Sequence, residues 1–190
     1  MAVSDPFQYF ESCHLVESQV LSFAFNKSLM QLRLDVNYAA EVVSQWFAAQ
    51  KAGISLREYD RPPSDFRRFV FAGIRWVDPD RSASLASDAR STEWSTEWTQ
   101  ILQEGGLRLP TISSFSVTKA EDGLLVAIML ERMGSFSYLF KFLSLTVRRR
   151  LARFVRNEGD LSLWEDIDSR SVFDFYNPFS EEQGGGSSKP

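Results

Sequence analysis

A chain of 190 residues with 44% hydrophobic residues, 16 Phe and 5 Trp can bury a single-domain core without cross-links. Its formal net charge of −4 excludes a global positive field, so nucleic acid or an anionic membrane would have to be met by a local patch. One cysteine, Cys13, excludes an internal disulfide and a multi-thiolate zinc site, and fits a reducing compartment, with the cytoplasm the expected location.

The first residues carry no basic segment followed by an apolar run, so no signal peptide is expected. The longest apolar stretch, residues 124–130, falls far short of the roughly 20 residues a membrane helix needs, and no membrane partner is expected.

In chain order, apolar alternation over residues 16–25 and 29–36, broken by Asn26-Lys27-Ser28, predicts a β-hairpin. In its second limb Met30, Leu32, Leu34 and Val36 share one face and Gln31, Arg33, Asp35 and Asn37 the other, the pattern of a sheet with one wet side. Residues 39–52 change to helical spacing, with Trp46 and Phe47 on one stripe and Gly53 as the stop. Arg61-Pro62-Pro63 predicts a loop, residues 69–77 a strand buried on both faces, and Asp78-Pro79-Asp80 a turn. The Ser-rich residues 81–90 read as a surface excursion. The duplication Ser91-Thr92-Glu93-Trp94 and Ser95-Thr96-Glu97-Trp98 places both Trp and both Glu at i, i+4, which predicts a short helix over residues 91–103. A β-meander follows over residues 112–117, 124–131 and 136–147, its last strand passing into either more strand or a helix near Arg148. Residues 1–176 then form one domain, and residues 177–190, with Gly184-Gly185-Gly186 and polar neighbours, a disordered tail in which only Phe179 could dock.

The search for chemistry is largely negative. His14, the only histidine, abuts Cys13, and adjacent strand residues point to opposite faces, so the two cannot act as a dyad. They nominate no metal site either, because no spacing supplies the remaining ligands. Asp78 with Asp80, and Glu93 with Glu97, could serve as acid and base in a cleft, but the first pair is turn chemistry and the second the wet side of a Trp-striped helix. No phosphate-cradling glycine loop occurs, so no cofactor is expected. The sharpest charge feature is Arg148, Arg149, Arg150, Arg153 and Arg156 with Phe154 interleaved, a ridge that could grip phosphates. Glu158, Asp160, Glu165, Asp166 and Asp168 follow closely enough to neutralise it internally, and that pairing is the expectation.

The order of Cys13-His14-Leu15-Val16, the hairpin through Leu21-Ser22-Phe23-Ala24-Phe25 and Leu32-Arg33-Leu34-Asp35-Val36-Asn37-Tyr38, and Phe69-Val70-Phe71-Ala72-Gly73-Ile74 resembles small bacterial β-rich families of uncharacterised or immunity-type proteins. The resemblance is one of strand patterning over about two-thirds of the chain. It implies a non-enzymatic protein that binds and blocks a cognate toxin, and it carries over no site residues.

The sequence thus predicts an α+β domain on a mainly antiparallel curved sheet or partly open barrel with two or three helices. The expected function is protein binding, with toxin neutralisation as its concrete form, through an acidic and aromatic surface of Trp94, Trp98, Glu93, Glu97, Asp78 and Asp80 that complements a basic toxin domain. The alternatives are a nucleic-acid-associated accessory protein using the arginine run and a small hydrolase with an unrecognised acidic site.

Overall fold

The computed structural model describes residues 1–38, 48, 51–53, 63–77, 95–96, 109–131 and 135–179. Helix α1 (Pro6–Glu11) starts where Asp5 caps it, accepting the Gln8 N–H at 3.0 Å, with proline pre-set for the first turn. Strands β1 (Gln19–Asn26) and β2 (Gln31–Tyr38) form the expected hairpin, which bulges between Val20 and Ser22 so that Val20 and Leu21 are both buried. Pro63 precedes β3 (Ser64–Ala72), and Gly73 separates it from β4 (Arg75–Trp76).

The short β5 (Ser95–Thr96) pairs with β1 opposite Ala24 and Phe25. The meander then runs through β6 (Thr111–Ala120), β7 (Gly123–Glu131) and β8 (Ser135–Phe142), and after a kink at Leu143 through β9 (Ser144–Glu158). Strands β10 (Leu161–Asp166) and β11 (Val172–Asp174) finish the sheet.

The order across the sheet is β11-β10-β9-β3-β2-β1-β6-β7-β8-β4, with β5 beside β1, and the pairs are antiparallel. The path is open but strongly curled. β3 pairs with β9 while its continuation β4 pairs with β8, so the two kinks, at Gly73 and Leu143, face each other and the Leu143 N–H donates to Ala72 at 2.9 Å. Gly73 has φ +69°, and a Cβ there would stand 2.8 Å from the Leu143 side chain, so the kink requires glycine.

Curling divides the apolar residues in two. Inside the curl Phe23, Phe71, Phe140, Phe142, Tyr138, Leu34 and Ile128 form the main core, which Phe10 of α1 closes by stacking on Phe71. On the outer face of β3, Phe66 gathers Leu21, Ala152, Phe173 and Phe179 into a second core, with Trp164 and Phe175 against its edge. Because neighbouring residues of a strand face opposite ways, Phe66 and Phe69 serve different cores.

Several expectations are corrected. The α+β architecture with two or three helices gives way to a mostly antiparallel β structure in which α1 is the only named helix among the described residues. The helix expected over residues 91–103 is interrupted by β5, because the edge of β1 draws Ser95 and Thr96 into backbone pairing. The helix of residues 39–52 lies outside the described residues except at residues 48 and 51–52, where Ala52 donates to the Ala48 carbonyl at 3.0 Å. The run at Arg148 stays strand, because residues 144–152 pair along β3 and residues 152–158 along β10. The supposedly wet face of β2 is not wet: Arg33 and Asp35 are both buried. Within the supposed tail, Pro178 and Phe179 are buried, and residues 180–190 lie outside the described residues.

Candidate functional site

Each face of β3 carries its own buried ionic cluster. Asp65 and Arg67 alternate with Phe66, so they share the inner face with Phe69 and Phe71, and β9 sets Arg149 directly opposite Arg67. Asp65 is only 2% exposed, and its carboxylate accepts from Arg67 Nη2 at 2.8 Å and from Arg149 Nε at 3.0 Å. The Arg67 guanidinium also lies 3.7 Å over the Tyr38 ring and donates through Nη1 to Cys13 Sγ at 3.4 Å.

On the outer face Arg68 forks onto Asp35 with bonds of 2.8 and 2.9 Å, and Arg33 stands 3.7 Å from the same carboxylate. The Phe179 ring covers Arg68, and Arg150, which contacts Phe173 and Phe179, pairs with Asp166 at 2.9 Å. Arg150 also donates to the Pro178 carbonyl. The C-terminal segment is thus fastened by arginines that reach through the second core.

Burial and charge set the protonation states. Burial pushes the Cys13 thiol up despite the nearby Arg67, and does the same to the Tyr9 and Tyr38 hydroxyls. Arg67 is driven the other way: burial opposes its charge, but the Asp65 carboxylate outweighs burial and holds the guanidinium firmly protonated. Asp166 is likewise opposed by burial, yet the Ser169 and Asp168 N–H groups and Arg150 hold its carboxyl below the usual range. Cys13 is therefore a protonated, buried thiol. His14 is exposed, its backbone N–H on the Tyr38 hydroxyl at 3.1 Å, and the strand expected to carry it and Cys13 is absent: both lie in the segment between α1 and β1 and border the same small cleft.

Two openings lie beside these clusters. A groove of about 700 Å³ is lined by Tyr9, Arg67, Arg148, Arg149, Arg150 and Phe179, together with Asp166 and Asp168. A smaller cleft of about 160 Å³ between α1 and β6 is bordered by Phe7, Cys13, His14 and Phe115.

Of the expected site residues, Asp78, Asp80, Glu93, Trp94, Glu97 and Trp98 lie outside the described residues. The arginine run is split into two places. Arg148, Arg149 and Arg150 line the groove, while Arg153 and Arg156 stand exposed on the projecting β9–β10 hairpin. Pairing with the following acids holds for Arg150 with Asp166 and Arg156 with Glu158 at 3.2 Å, but Arg149 turns instead to Asp65. Sequence reasoning missed Asp65 and Arg67. The signal was present in Asp65-Phe66-Arg67-Arg68-Phe69, charges set inside an aromatic strand, which burial makes costly unless they are paired.

Among the described residues no group of three or more His, Cys, Asp or Glu side chains is placed to hold a metal ion, and no helix is long and apolar enough to cross a membrane. No family model, curated protein or solved structure matches the chain.

Proposed function

We propose that the chain is a non-enzymatic binding protein that engages another protein through the projecting β9–β10–β11 flank, and that neutralisation of a cognate toxin is the form this binding takes. The observation that carries the reading is the end of β9. From Arg153 to Glu158 every residue is exposed, on both faces of the strand, although Phe154 and Val155 belong to that stretch. Phe154 is 52% exposed and Leu161, on the paired strand, 50%, with Val172 and Tyr176 exposed nearby. Apolar side chains interleaved with Arg153, Arg156, Glu158 and Asp160 have the make-up of an interface core with a charged rim. The buried carboxylates Asp35, Asp65 and Asp166 are each held by arginine, which favours binding over a hydrolase built on them. The single buried thiol suits a reducing, cytoplasmic setting.

The test is isolation of the native chain with its bound protein, followed by repetition with a Phe154→Asp, Leu161→Asp variant. The reading expects a stoichiometric partner that is toxic when expressed alone, relieved by the native chain and not by the folded variant. A partner retained undiminished by the variant moves the interface elsewhere, and a chain that holds no protein removes the reading.

The exposed Arg153 and Arg156 beside Phe154 favour a second reading, nucleic-acid binding. It requires affinity for DNA or RNA that falls steeply with salt and is lost in an Arg153→Glu, Arg156→Glu variant.

A further inference from the structure

We propose that the groove between α1, β9 and the C-terminal segment is a binding site for a small organic phosphate, a role separate from the protein-binding flank. Arg67 and Arg149 carry the argument. They stand opposite each other on paired strands, both line the groove, and they share one carboxylate, Asp65, so two fixed positive charges meet a single negative one. Asp65 also settles the geometry in advance. It holds Arg67 through Nε and Nη2 and Arg149 through the same two nitrogens, so neither guanidinium has to be ordered by the ligand.

Arg67 is nearly buried and Arg149 half exposed, with side-chain exposures of 14% and 50%. The first is an anchor and the second presents its charge to the groove. Guanidinium is the group best matched to phosphate oxygens, through parallel N–H donors. Tyr9, Val3, Val147 and Phe179 supply apolar and aromatic wall beside these arginines, and Met1, Arg148, Arg150 and Ser169 complete the lining with the two acids. Of the two acids in the lining, Asp166 is committed to Arg150 and to the N–H groups of Asp168 and Ser169, and the exposed Asp168 disfavours ligands with negative charge spread along their whole length. A volume of about 700 Å³ suits a small molecule. The chemistry that fits is a phosphate group at one end and a ring or short apolar body at the other.

The experiment titrates the full chain with phenyl phosphate, inorganic phosphate and benzoate, following binding by calorimetry and the arginine Nε–H resonances by nuclear magnetic resonance. Phenyl phosphate is expected to bind saturably and more tightly than either other probe, shifting the Arg67 and Arg149 resonances and leaving that of Arg153 in place. Arg149→Gln should weaken it by about tenfold or more, the loss of a charge-assisted contact, while Arg153→Gln leaves it unchanged. No saturable binding by the native chain overturns the proposal, and so does shifting of Arg153 together with the groove arginines. The native-chain resonances decide the matter even where Arg149→Gln fails to fold. Equal affinity for benzoate would replace phosphate by carboxylate and overturn the ligand class.

Discussion

Arg67 and Arg149 face each other across β3 and β9 and are bridged by Asp65, which lies two residues before Arg67 on the same face of β3. Two guanidiniums side by side on adjacent strands repel, and cross-strand like charges destabilise a sheet. The carboxylate between them converts that repulsion into a lock joining α1, through Tyr9, and the segment after it, through Cys13, to the long strand β9.

Removing the shared carboxylate should therefore cost far more than removing an exposed one. Asp65→Asn leaves both arginines in place with one of them buried, and the expected loss is about 3–5 kcal/mol. Asp122, which bridges Arg75 and Lys141 at the surface, provides the contrast, and Asp122→Asn should cost far less, because solvent screens exposed ion pairs. Urea unfolding of the two variants measures both. Equal losses would show that Asp65 is not the lock.

The β6–β7 turn offers a backbone test. Gly123 has φ +138°, and a Cβ there would come 2.6 Å from the Phe142 carbonyl oxygen on the adjacent strand. Gly159, in the turn between β9 and β10, has φ +60° and nothing within 4 Å of a Cβ. Alanine at 159 should cost about 1 kcal/mol from conformation alone, whereas alanine at 123 must also displace backbone and should cost a few times more. Thermal unfolding that ranks the two in the opposite order would refute the close approach.

The elements most legible in the sequence were those whose period local chemistry fixes. The hairpin of β1 and β2 and the meander of β6, β7 and β8 follow from alternation and from turns such as Glu121-Asp122-Gly123. What misled was partnership across the sheet. Arg33 and Asp35 alternate as solvent-facing residues do, and their burial depends on Arg68, some 33 residues further along the chain from Asp35, a pairing no local pattern encodes. The same holds for the arginine run. Its likeness to a phosphate ridge is a property of adjacency in sequence, while the strand pairing sends Arg149 to the inner face with Asp65 and Arg150 to the outer face with Asp166. The groove was invisible for that reason: it combines α1, β3, β9 and the C-terminal segment.

Phe179 supplies a sharper test of where the fold ends. It is 3% exposed, covers Arg68 and belongs to the core around Phe66. Phe179→Ala should cost roughly 3 kcal/mol, the loss for a buried aromatic ring, and should loosen β10 and β11 first. A chain ending at Phe179 should keep the melting temperature of the full chain, because Gly184-Gly185-Gly186 and its polar neighbours bring no apolar surface, whereas one ending at Tyr176 should melt well below it. Hydrogen exchange across residues 161–174 reads the local loosening, and equal melting of the two truncated chains would contradict the docking of Phe179.

The cluster of Cys13, Tyr9 and Tyr38 makes stability depend on alkaline pH in a definite direction. Burial, the largest influence on each, raises the thiol above its ordinary 9.0 and both hydroxyls above their ordinary 10.0. Below pH 9 the folded and unfolded chains both keep these protons, and the cluster's contribution is complete. As pH rises past 9.0 the unfolded chain loses the thiol proton first, then the hydroxyl protons beyond 10.0, while the folded chain still binds them. The unfolded state then binds fewer protons, so stability falls with rising pH until the raised folded-state values are passed. Cys13→Ala removes the earliest of these ionisations, since the sulfur is the group that titrates from 9.0. Its unfolding free energy should be lower than that of the native chain at pH 7, through the lost packing, but should fall less steeply between pH 9 and 10. Denaturant unfolding at closely spaced pH values measures the two slopes. Parallel curves for the native chain and Cys13→Ala would show that the buried thiol does not contribute to the alkaline limit.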